Sequence, residues 1–157
     1  MIDATKGFTL VREFAATPAE IWDAWTNPDE AAHWWHPRGV STPRESVSID
    51  ARVGGTYAYT MINDATGERY PTVGEYREVV PFERLVFTWG RADDDPDDRP
   101  LITVSIEPLQ SDLGGERTRM TFDLRGYDAA PGDADVYDGW DSAFEVLSDH
   151  LTSAETI

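Results

Sequence analysis

The sequence predicts an α+β fold in which a curved antiparallel sheet of about seven strands wraps one long C-terminal helix, with two short helices after the first strand. Three observations lead there. Strand-like alternation broken by tight turns fills residues 43 to 125. A single long stretch of helical period follows it, near the end of the chain. Two helix-start signals stand close together behind the first strand, at Thr17 and Asn27. A meander of that length must bury one face, and one amphipathic helix is the cover available. A helix is narrower than such a sheet, so the pair is expected to enclose a cup with an apolar interior, plugged at one end by the short helices.

Taken in order, FTLVREF (8–14) alternates apolar and polar residues as a strand does. TPAE then supplies a cap at Thr17, a proline at the first helical position and the capping-box Glu20. Ile21, Ala24 and Trp25 form the apolar face of that helix, and Asn27 ends it. NPDE repeats the start signal, predicting a second short helix that carries AAHWWH up to Pro37 and Gly39. The strands expected next are ESVSID, TYAYTMI, YPTVGEYREVV, RLVFTW, LITVSIEPL and RTRMTFDL. Turns are expected at VGG, Gly67, Pro81 and SDLGGE. DADVYDGWDSAFEVLSDHL closes the chain as a helix with Trp140, Phe144, Leu147 and Leu151 on one stripe.

At 157 residues, 40% of them apolar, the chain suits one domain, expected to span residues 1–157. No apolar run approaches the ~20 residues that cross a bilayer. MIDATKGFTL has no basic segment leading an apolar one, so no secretory signal is expected, and the expected location is cytoplasmic. With no cysteine, thiolate catalysis, disulfides and Cys-based zinc sites are excluded. A net charge of −17 repels phosphate backbones and anionic lipid, so neither nucleic acid nor membrane is expected as a partner. RADDDPDDRP (91–100) is read as a solvated loop, since it lacks the alternating ligands, central Gly and final Glu of an EF-hand.

The candidate site is the cup. Alternation places Tyr57, Tyr59 and Met61 on one face, Tyr76 on another, and Phe87 and Trp89 with Leu85 on a third. Trp140, Phe144 and Leu147 of the last helix face them, and Trp34 and Trp35 belong to the plug. On a helix the two tryptophans point about 100° apart, so one is expected in the core and the other at the mouth. Such an interior suits a small hydrophobic ligand, held by a carrier or a sensor; the alternative is that the aromatic rings fill the space. Arg12 and Glu78 share parity with inward residues and are expected as polar anchors or an internal salt bridge, unless a bulge or a strand end returns them to solvent. Glu78, Tyr59 and Tyr76 are the acid–base candidates should the cup be enzymic, but no catalytic residue is assigned. His33, His36 and His150 lack a zinc-site pattern and are read as bystanders, so no metal and no cofactor are expected. An exposed apolar strip on the last helix could support a homodimer.

FTLVREFAATPAEIWDAWTNPDEAAHWW, GGTYAYTM, GEYREVVPFERLVFTW and GWDSAFEVLSDHL, in this order, resemble the START-like, or SRPBCC, superfamily and its helix-grip fold. Within it the chain is most similar to the family named for the activator of heat-shock-protein-90 ATPase, over about residues 8–152. The resemblance implies that fold. For function it implies three alternatives: a carrier of hydrophobic ligands, a cyclase or hydrolase, and a co-chaperone stimulating a heat-shock-protein-90 ATPase. The founding activators of that family also carry an N-terminal domain that this sequence does not contain.

Overall fold

The computed structural model describes residues 5–95, 98–109, 117–127 and 136–155, with 152–155 described by backbone alone. The turn expected at 111–116 and the first residues of the last expected helix lie outside these. Strand β1 (Gly7–Phe14) buries Phe8, Leu10 and Phe14 and exposes Thr9, Val11 and Glu13. Helix α1 (Pro18–Thr26) starts on the expected capping box: Glu20 N–H donates to Thr17 Oγ1 at 3.0 Å, and Thr17 N–H donates to Glu20 Oε1 at 3.1 Å. Two of the four orphan amides at the helix start are thereby satisfied.

Helix α2 (Pro28–Ala31) also starts as predicted, with Asn27 Oδ1 accepting from Asp29 N–H at 3.0 Å. It is shorter than expected. His33 N–H bonds back to Glu30 O and Trp34 N–H to Ala31 O, both three residues away, and His36 N–H bonds only two residues back, to Trp34 O. The chain therefore tightens into turns over 32–36. The 100° helical spacing does not apply there, and Trp34 and Trp35 are both buried.

Strand β2 (Val40–Ser41) precedes a 3-10 turn at Arg44–Ser46, where a strand was expected. Pro43 O accepts both the Ser46 amide and its hydroxyl, a local alternative that competes with strand pairing. Only β3 (Ser48–Ile49) of that segment is extended. Then come β4 (Thr56–Asn63), β5 (Arg69–Val80), β6 (Arg84–Thr88), β7 (Leu101–Leu109) and β8 (Arg117–Arg125), followed by α3 (Val136–Glu155). The curved antiparallel sheet has eight strands in the order β1-β8-β7-β6-β5-β4-β2, with β3 also on β4. Strands β4 to β8 form the expected meander, and β1 closes onto β8.

The concave face and α3 share one core. Trp25 is its hub, edge-on to Trp34 at 4.6 Å and stacked on Phe122 and Trp140 at 6.3 and 6.2 Å. Val136, Trp140, Ala143, Phe144, Leu147 and Leu151 of α3 are buried, whereas Glu145, Ser148 and Asp149 face outward. Thus the apolar strip considered for a homodimer is the face laid on the sheet. No described helix is long and apolar enough to cross a membrane.

Candidate functional site

Packing of α3 on the sheet is close in the middle and opens at one end. There a cavity of about 1000 Å³ lies between the first turns of α3, the ends of β4, β5 and β6, and the turn after α2. Its aromatic wall is Trp35, Tyr59, Trp89 and Trp140, with Met61 beside them. These five are sequence candidates that the fold brings together. Trp34, Tyr57, Tyr76, Phe87, Phe144 and Leu147 instead fill the core alongside, with no surface on the cavity. Rings therefore fill most of the interior, and a hollow remains at the end.

Each wall residue is fixed by a specific contact. Trp35 lies 4.7 Å from the Tyr59 ring, and Trp89 packs edge-on to Trp140 at 5.8 Å. Trp89 Nε1 donates to the Tyr59 hydroxyl at 3.3 Å. Burial pushes that hydroxyl up to about 12, despite the opposing pull of Trp89 and Thr72, so it is a neutral phenol at physiological pH. Tyr57 reaches past the wall to donate to Thr88 O at 2.6 Å. It can do so because Gly74 lies beneath it, where a Cβ would sit 2.4 Å from the ring. Trp34 Nε1 donates to Ala24 O at 2.8 Å, while Trp35 Nε1 is buried without an acceptor among the described residues.

Neither proposed polar anchor enters the cavity. Arg12 does lie on the inward side of β1, but β1 is an edge strand and the guanidinium reaches over to Asp141 of α3. Both side chains keep over a third of their surface in water. Glu78 is returned to solvent by a β-bulge between Tyr76 and Glu78, and pairs at 3.2 Å with Arg84 across the hairpin. The internal salt bridge between them is not formed. As an acid–base candidate Glu78 is displaced from the hollow, and Tyr76 is enclosed in the core.

Several lining residues were missed. Tyr70 and Thr72 have the inward parity of Gly74 and Tyr76, so extending the same alternation along β5 would have found them. His36, read as a bystander, is half-buried on the cavity wall. Its Nδ1 lies 3.0 Å from Thr42 Oγ1, whose own proton goes to Trp35 O at 2.9 Å. Nδ1 is therefore the donor in that contact. Burial pushes the imidazole below its ordinary value, the nearby His33 adds to this, and Asp64 opposes it. His33 stacks on His150 at 4.6 Å, and His150 Nε2 lies 2.6 Å from Glu30. Among the described residues no three His, Asp or Glu side chains are placed to hold a metal ion. The acidic segment contributes Asp93, Asp94, Asp95 and Asp98 to the mouth.

The family model of the activator of Hsp90 ATPase homolog 1-like proteins matches residues 15–152. The chain belongs to that family. It therefore belongs to the START/SRPBCC superfamily, and its helix-grip fold is that of its relatives. A protein of Chromobacterium violaceum is 27% identical, with 92% of this chain and 96% of that one aligned and a TM-score of 0.75. The AHSA1 protein of Silicibacter pomeroyi is 25% identical over 94% of this chain and 99% of its own, with a TM-score of 0.77. An HSP90 activator from Plasmodium falciparum shares the fold at 18% identity and a TM-score of 0.57, over 80% of this chain and 76% of that one. No curated protein matches the sequence.

Proposed function

We propose that this AHSA1-family chain binds a small, largely hydrophobic molecule in the hollow at the open end of α3, as a carrier or sensor. The observation that carries the reading is the cavity itself, about 1000 Å³ and walled by Trp35, Tyr59, Trp89 and Trp140. Ligand sites are concave, mostly apolar and furnished with a few polar groups, here the Tyr59 hydroxyl and His36. Rings held by their neighbours are pre-organised, so little order is lost on binding. The outward position of Glu78 and the neutral phenol of Tyr59 weigh against acid–base turnover.

Native mass spectrometry of freshly purified full-length chain tests for a co-purified molecule. Titration with neutral biphenyl is expected to quench tryptophan fluorescence saturably. Trp89→Ala should weaken that binding about tenfold or more, and Met61→Trp, which adds bulk to the wall, should weaken it as well. No co-purified molecule, together with quenching that rises linearly and is unaffected by either variant, would sink the reading.

A further inference from the structure

The residues lining the cavity carry more negative than positive charge. Aromatic rings make up much of its wall. Asp93, Asp94, Asp95 and Asp98, together with Asp138 from the first turn of α3, also line it. Two guanidiniums also line it, Arg38 and Arg91. Groups of both signs are engaged: Arg38 pairs with Asp149 at 2.7 Å and Glu145 at 3.5 Å, Asp94 accepts from the Arg91 amide at 2.8 Å, and Asp95, Asp98 and Asp138 also have partners. His36 adds little positive charge at neutral pH, because burial lowers its basicity. The whole chain adds a background of −17. An anionic amphiphile such as a fatty acid would enter against this field, and a neutral one would gain nothing from it.

We propose that the ligand is a cation, an aromatic or alkyl amine whose apolar body lies between Trp35, Tyr59, Trp89 and Trp140 and whose ammonium sits at the aspartate-lined mouth. The inference rests on the cavity being a ligand site and adds the charge of the guest. The attraction of the carboxylates for the ammonium is screened by salt.

The test is isothermal calorimetry of the full chain with three probes sharing an indole body: tryptamine, tryptophol and indoleacetate. Tryptamine is expected to bind about tenfold or more tighter than tryptophol, with indoleacetate weaker than both, and added NaCl should narrow the gap. Asp93→Asn with Asp138→Asn should cut the ratio of tryptamine to tryptophol affinity about tenfold. Equal binding of tryptamine and tryptophol, tighter binding of indoleacetate, or a preference unmoved by the asparagines overturns the proposal. If biphenyl binds and tryptamine shows no advantage, the charge assignment alone fails. If neither biphenyl nor any indole binds saturably, the cavity reading falls with it.

Discussion

Trp34 and Trp35 are adjacent in sequence and equally buried, yet their indole nitrogens meet different surroundings. Trp34 Nε1 has Ala24 O at 2.8 Å, and Trp35 Nε1 has no acceptor among the described residues. Phenylalanine at position 34 leaves a buried carbonyl without its donor, whereas at position 35 it removes an orphan. By urea denaturation, Trp34→Phe should be about 1–2 kcal/mol more destabilising than Trp35→Phe. Equal costs would contradict the hydrogen-bond assignment. His36 gives a pH dependence whose sign follows from its lowered folded value. The unfolded chain binds this proton more readily, so His36 contributes fully above its unfolded value of about 6.5. That contribution is lost as pH falls from there through the folded value. Stability measured between about pH 7 and 5 should fall less in His36→Gln than in the parent. Neither feature is legible in AAHWWHP, because both depend on Ala24 and Thr42, which only the folded chain brings near.

At the level of the elements, local chemistry was the most readable layer. The caps at Thr17 and Asn27 lie within four residues of their partners, and both form as predicted. What failed depended on longer range. Alternation alone put Glu78 inside, but one extra residue in β5 reverses parity, and no residue in EYREVV announces the bulge. ESVSID alternates well enough for a strand, yet Pro43 captures Ser46 first. Gly74 shows how closely β5 is fitted. A methyl there would sit 1.9 Å from Thr88 O and against the Tyr57 ring, in the space through which Tyr57 reaches Thr88. Gly74→Ala should therefore destabilise by about 3 kcal/mol or more, with loss of the near-ultraviolet circular dichroism of the buried aromatics. A variant with unchanged melting and spectrum would refute that fit.

For the molecule as a whole, the fold was legible because the order of the elements left few ways to bury the sheet. The hollow was legible only in part. Parity selects the residues facing inward, but which of them touch each other rather than open space depends on how α3 is seated. Five of the eleven candidates reach the cavity, and the aspartates of its mouth come from a segment read as a mere connection. The excess of 17 negative charges repels itself, while the ion pairs on the surface contribute little each. Melting temperature should therefore rise by about 3 °C or more between about 20 and 500 mM NaCl; a fall would mean that the surface pairs dominate. The seam between β1 and β8 bears on how the chain reaches this state. It joins Gly7 to Arg125, and Thr118 bonds Ala16 O across 102 positions of sequence. Loops that long are slow to close, so the meander can assemble early while the β1 edge stays unzipped. Until that last zip, the strand that delivers α1 is untethered and the indole of Trp25 has no fixed berth. The refolding rate of the tryptophan signal should thus report the meeting of two distant segments rather than the collapse of the sheet.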